Sequence, residues 1–106
     1  MRPSPSTRGA IGELRVAADL LARGRPVFEA ASPASVCDLV YIDRRGHFVR
    51  VEVRTTTLNT ISFGAKDLGN SDVLATIHNG GPIKYRRTPR RRAASYDQYS
   101  RRAWYI

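Results

Sequence analysis

Two runs rich in β-branched and aromatic residues, Val36 to Asp43 and His47 to Arg54, flank the tripeptide Arg44-Arg45-Gly46. Such runs suit a pleated, half-buried backbone. Gly46 stands where a three-residue hairpin loop needs a left-handed residue, so the runs are expected to pair antiparallel. With Asp43 paired to His47, each step back along the first run is matched by a step forward along the second. Asp38 then falls opposite Glu52, with Cβ atoms about 5 Å apart on one face. On the second run, alternation puts Val49, Val51 and Val53 on one side and Arg50, Glu52 and Arg54 on the other. A slip of one residue would turn the three valines to solvent, so the register is strongly specified.

Like charges placed opposite each other destabilise a sheet, so Asp38 facing Glu52 asks for a positive neighbour. Two sources satisfy the demand. Arg50 and Arg54 share the face of the acids and would make it a mixed, partly exposed charge patch. The other source is a divalent cation, since Mg²⁺ takes one or two carboxylates together with water and phosphate oxygens.

The remaining elements follow from periodicity and punctuation. Met1 to Ser6, with its prolines and serines, reads as a loose arm ending where Ser6 or Thr7 caps a helix. From Arg8 to Arg23, Ile11, Leu14, Ala17 or Ala18, and Leu21 recur at helical spacing. Arg15–Asp19 and Asp19–Arg23 are i,i+4 charge pairs, and Gly24 with Pro26 ends the helix. Pro26 to Ala30 is a short strand candidate. Leu58 to Phe63 extends the preceding strand or adds one, and Ala65 to Leu68 is a candidate helical turn. Asp72 to His78 reads as a buried strand, joined through Asn79-Gly80-Gly81 to an edge strand over Pro82 to Thr88. Beyond Pro89 neither period is present, and a flexible basic tail is expected. The organisation is an arm over 1–7, a domain over 8–88 and a tail over 89–106. Cys37, alternating away from Asp38, is expected in the core.

Charge narrows the partner. Of 106 residues, 18 are basic and 9 acidic, a formal +9, and all the basic residues but Lys66 and Lys84 are arginine. Residues 1–83 carry only +2, whereas residues 84–106 carry +7. Concentrated arginine suits phosphate oxygens, which favours nucleic acid over an anionic membrane surface. The candidate phosphate contacts are Arg50, Lys66, Lys84, Arg86, Arg87, Arg90, Arg91 and Arg92. Tyr85, Tyr96, Tyr99, Trp104 and Tyr105 interleave with arginine as stacking single-strand binders do. One cysteine and two distant histidines, His47 and His78, are too few for a structural zinc site or an internal disulfide. No stretch has signal-peptide or membrane-spanning character, so the reading is an intracellular protein without a membrane partner.

The order Gly12-Glu13 on a first helix, Gly24, Cys37-Asp38-Leu39-Val40, Asp43-Arg44-Arg45-Gly46 and Val51-Glu52-Val53-Arg54-Thr55 resembles the PD-(D/E)XK nuclease superfamily. It is most similar to the restriction-endonuclease-like and archaeal Holliday-junction-resolvase-like branches, and the resemblance runs from about residue 9 to residue 87. It implies an α/β (α+β) fold with a restriction-endonuclease-like core, α-β-β-β-(α)-β-β, around a mixed central sheet. It also implies that Asp38 and Glu52 are metal carboxylates, that the Val53 carbonyl is a further ligand, and that Glu13 is an auxiliary acid. Arg54 occupies the position of the motif lysine, a departure. A guanidinium keeps its proton, so Arg54 would stabilise charge without acting as a base.

The expected activity is Mg²⁺- or Mn²⁺-dependent hydrolysis of DNA phosphodiesters, with Asp38, Glu52, Arg54 and Glu13 as catalytic residues and branched or damaged DNA as a suitable substrate. DNA is favoured over RNA, and a homodimer would suit a two-fold symmetric substrate. Two rival classes remain: a catalytically inactive nuclease-fold module that binds nucleic acid through its basic C-terminal segment, and an assembly domain whose tail meets an acidic protein.

Overall fold

A computed structural model describes residues 2–32, 35, 37–57, 60–62, 69–88, 95–97 and 106. One helix, α1 (Pro5–Ala22), is followed by β1 (Val27–Glu29), β2 (Leu39–Ile42), β3 (Phe48–Thr56), β4 (Thr60–Ser62), β5 (Val73–His78), β6 (Ile83–Arg87) and β7 (Ser95–Asp97). A five-stranded sheet has the order β1-β2-β3-β5-β6, and β4 pairs with β7 in a separate two-stranded sheet. The main sheet is mixed: β3 and β5 run parallel, and every other neighbouring pair is antiparallel. This is the α+β architecture expected. No helix among the described residues is long and apolar enough to cross a membrane.

The hairpin forms in the expected register. Leu39 pairs with Val51, Val40 with Arg50 and Tyr41 with Val49, and Gly46 has φ 85°. Asp43 organises the loop: its amide donates to the His47 carbonyl, while its Oδ1 accepts the Arg45 and His47 amides, each at 2.9 Å. Those two amide donors hold the Asp43 carboxyl below the usual carboxylate range.

Helix α1 starts earlier than periodicity indicated. Its N-cap is Ser4, whose Oγ accepts the Thr7 amide at 3.2 Å, and Pro5 supplies a first helical position where a missing N–H costs nothing. Residues 5–7, read as part of the arm, are therefore helical. At the other end Gly24, at φ 79°, sends its amide to the Leu21 carbonyl while Arg25 sends its own to Leu20. These paired bonds satisfy carbonyls the helix leaves open.

Val16, Ala17 and Leu20 of α1 pack on Leu39, Tyr41, Val49, Val51, Val73, Ala75, Ile77 and Tyr85, the apolar face of the sheet. The valine alternation read from β3 is thus the core side. Of the two expected helix charge pairs, only Asp19–Arg23 forms, at 3.0 Å. Arg15 instead donates to the carbonyls of Gly80 and Gly81, at 3.2 and 2.8 Å, and Tyr85 donates its hydroxyl to Asp19. Both contacts lock α1 to the β5–β6 hairpin.

Two further expectations change. Ser95–Asp97, assigned to a structureless tail, forms β7 and pairs antiparallel with β4 (Ile61 with Tyr96). Cys37 is half-buried and absent from the core cluster; it lies on the charged side, within electrostatic range of Arg50, Asp38, Asp72 and Glu52. Burial pushes its thiol pKa up. The alternation failed there because regular strand geometry begins only at Leu39.

Candidate active site

Unequal strand lengths create the site. Strand β2 has four residues and β3 has nine, so β3 outruns its partner beyond Val51. The Asp38 amide makes the last backbone bond of the hairpin, to the Val51 carbonyl at 3.1 Å. Two residues further along β3, the Val53 amide points at the same edge and finds no strand. Asp38 supplies the missing acceptor through Oδ2 at 2.8 Å. The Val53 carbonyl lies on that same edge, because the N–H and C=O of one strand residue face the same neighbour.

Helix α1 brings a second acid to this edge. Glu13 is half-buried and hydrogen-bonded to Asp38. Burial, that hydrogen bond, the charge of Asp38 and the charge of Glu29 push the Glu13 carboxyl up to about 7. The Asp38 charge beside it favours a proton on Glu13, or a cation in that proton's place. The close approach depends on Gly12: a Cβ there would stand 2.5 Å from Thr55 Cγ2 and 3.5 Å from Val53 Cγ1. Absence of a side chain at residue 12 lets the helix settle on β3 beside Asp38.

Glu52 and Arg54 form the other half. They lie two apart on β3, share a face, and meet with Arg54 Nη2 3.3 Å from Glu52 Oε2. The register across the hairpin is the expected one, and Asp38 sits just before the first formal pair. The carboxylates nonetheless use different partners: Asp38 joins Val53 and Glu13 at the strand edge, while Glu52 joins Arg54 on the sheet face. Among the described residues, no group of three or more His, Cys, Asp or Glu side chains is arranged to hold a metal ion.

The basic residues separate into classes by their placement. Arg50 is held by Asp72, with Nε 3.2 Å from Oδ2 and Nη2 3.0 Å from Oδ1, and its Nη1 donates to the Gly69 carbonyl at 2.8 Å. Asp72 Oδ2 also accepts the Arg50 amide at 2.9 Å. Sequence reasoning gave Asp72 no such role. Arg86 is 1% exposed, whereas Arg87 at the end of the edge strand is exposed and Lys84 half-buried. Lys66, Arg90, Arg91 and Arg92 lie outside the described residues.

A cavity of about 780 Å³ adjoins this site, bounded by the start of α1, the end of β3 and the β5–β6 turn. Arg2, Arg8 and Arg15 line it together with Thr55, Thr56 and Thr57. None of these residues was read from the sequence as a ligand contact, since three arginines scattered over residues 2–15 form no run.

Solved structures with this arrangement of helix and sheet include two nucleases. One is Hjc from Archaeoglobus fulgidus, a Holliday junction resolvase from an archaeal hyperthermophile: TM-score 0.69, 13% identity, covering 86% of this chain and 84% of that one. The other is a bacterial homing endonuclease, with TM-score 0.62 and 14% identity over 94% of this chain and 84% of that one. The likeness is one of fold. No protein-family model matches the chain, and no curated protein matches its sequence. The mixed sheet behind an N-terminal helix is therefore that of a resolvase and a homing endonuclease, as the resemblance implied.

Proposed function

We propose that this chain is a metal-dependent endonuclease that hydrolyses DNA phosphodiesters, with branched or damaged DNA as its substrate. The observation that carries the reading is the Glu13–Asp38 carboxyl pair at the open edge of β3, anchored on Val53 between Glu52 and Arg54. The fold shared with a resolvase and a homing endonuclease supports it.

The donor chemistry fits a hard divalent cation in part. Asp38, Glu13 and the Val53 carbonyl offer oxygen ligands at one edge, and one or two carboxylates are what Mg²⁺ commonly takes beside water and phosphate. The proton held on Glu13 is also one that a cation can replace. Glu52, held by Arg54, would complete the set. A bound Mg²⁺ or Mn²⁺ supplies Lewis-acid polarisation of the scissile phosphate.

The chain's own groups do the rest. Arg54 remains protonated and meets negative charge developing on the phosphate, so it serves as an electrostatic clamp and not as a base. Glu13, pushed up to about 7, can hold or give up a proton near neutral pH. Asp38 is fixed by the Val53 amide and so presents its remaining oxygen in one direction. The basic residues of the C-terminal segment would contact phosphates outside the cleavage point.

Incubating the full chain with four-way-junction, nicked and linear DNA in Mg²⁺ or Mn²⁺ tests this. Cutting is expected for the wild type and not for Asp38→Asn or Glu52→Gln. If no substrate is cut while DNA is bound with a steep salt dependence, the chain is instead a non-catalytic nucleic-acid-binding module. Cutting that survives both substitutions would place the chemistry elsewhere. Sedimentation with and without junction DNA reports whether a homodimer forms.

A further inference from the structure

The cavity beside the carboxylates has its own chemistry. Among the described residues its lining contains three arginines and three threonines but no Asp or Glu. Arg15 is spent on the Gly80 and Gly81 carbonyls and fixes one wall. Arg2 and Arg8 are exposed, and neither has a side-chain partner among the described residues. A recess whose described lining carries no acid and two uncommitted guanidinium groups suits an anion, and the hydroxyls of the exposed residues Thr55 and Thr57 add donors of the kind that bind phosphate oxygens.

Position says which anion. Gly12 and Thr55 line the cavity, and each is the chain neighbour of a site residue, Glu13 and Arg54. Through Gly12 the recess lies beside Glu13 on the helix side of β3, whereas Glu52 and Arg54 face the opposite side of that strand. From Glu52 to Thr55–Thr57 the strand advances roughly 10–16 Å, which corresponds to about three to five nucleotide steps along a duplex. A continuous nucleic-acid strand is long enough to occupy both the recess and the carboxylate edge.

We infer that this cavity is a phosphodiester-binding groove that holds the nucleic-acid backbone a few nucleotides from the carboxylates, with Arg2 and Arg8 as its phosphate-binding cations. The inference rests on the nuclease reading for its substrate and adds phosphate contacts from the N-terminal part of the chain. It assigns a binding role to Arg2, in the Pro- and Ser-rich arm, and to Arg8, in the first turns of α1.

Fluorescence anisotropy of the full chain with labelled junction and duplex DNA, in EDTA so that nothing is cut, tests it across a range of salt. Arg2→Ala/Arg8→Ala should lower the slope of log affinity against log salt by about two, roughly one per phosphate contact. Arg8→Lys should keep the wild-type slope, because the charge stays. Both arginines are exposed, so circular dichroism should be unchanged. Wild-type binding with an unaltered slope in the double variant overturns the groove and leaves the nuclease reading standing. A wild-type chain that ignores DNA and RNA at low salt overturns both, as does one that binds only anionic phosphatidylserine vesicles.

Discussion

Asp38 Oδ2 accepts the Val53 amide at 2.8 Å, so one carboxylate oxygen finishes the β2–β3 ladder and leaves the other for chemistry. The two jobs separate by substitution. Asn at residue 38 retains a carbonyl oxygen for the Val53 amide but loses the charge. Asp38→Asn should therefore fold with near-wild-type stability and lose cleavage. Asp38→Ala strips the amide of its acceptor and should cost a further 1–3 kcal/mol, roughly the penalty for a part-buried donor left unmade. Urea denaturation of both variants alongside a cleavage assay reads the difference. Equal stability of the two would show that the Asp38–Val53 bond contributes nothing.

Glu13 makes stability depend on pH in an unusual direction. Its folded pKa, about 7, lies above its ordinary value of 4.5, so between those values the native state keeps a proton that the unfolded chain releases. Unfolding is then favoured as pH rises through that window, and the Glu13 contribution is fully present below about 4.5 and gone above about 7. The urea midpoint of the wild type should fall from pH 5 to pH 8 by more than that of Glu13→Gln. Adding Mg²⁺ should lower the Glu13 titration midpoint followed by carbon-13 NMR, because cation and proton compete for the same oxygens. A midpoint indifferent to Mg²⁺ would remove Glu13 from the metal set.

The hairpin was legible because its determinants are local: the Arg44-Arg45-Gly46 loop and the valine alternation fix register without reference to the rest of the chain. What escaped depends on distant partners or on geometry at element ends. Helical spacing sets Arg15 against Asp19, but its guanidinium bonds carbonyls 65 and 66 residues away, and no helical spacing reveals that. Cys37 and Asp38 precede the first regular residue of β2, where alternation no longer fixes side-chain direction. Strand β7 has three residues, too few for a period, and its partner β4 lies far back in the chain. Arg86 and Arg87 looked like two surface cations, yet strand geometry sends neighbours to opposite faces and buries one of them.

Arg50 is expected to act on stability and not on nucleic acid. Its fork is committed to Asp72 and the Gly69 carbonyl, which ties β3 to the segment entering β5. The pair is about two-fifths exposed on each side, so solvent screening keeps its value near 1 kcal/mol or below. Arg50→Ala should lose about that much stability while the salt slope of DNA binding stays at the wild-type value. Asp72→Ala should be worse, by 1–3 kcal/mol, since the Arg50 amide also loses its acceptor. A flattened salt slope in Arg50→Ala would return this residue to the phosphate contacts.

Gly12 sits in mid-helix, where glycine ordinarily costs about 1 kcal/mol relative to alanine. What keeps it compatible with the fold is contact: an added Cβ would lie 2.5 Å from Thr55 Cγ2, closer than packed carbons can approach. Gly12→Ala thus gains helix propensity and loses about 1–3 kcal/mol to overpacking, for a net destabilisation of up to about 2 kcal/mol. Thr55→Ser removes the methyl the new Cβ meets, so the double variant should be more stable than the two single effects predict. This coupling also reports on the site, because pushing α1 away from β3 draws Glu13 from Asp38 and should lower the Glu13 titration midpoint toward its ordinary value. If Gly12→Ala alone raised the thermal midpoint and left Glu13 unchanged, close helix–strand approach could not be what positions the acid pair.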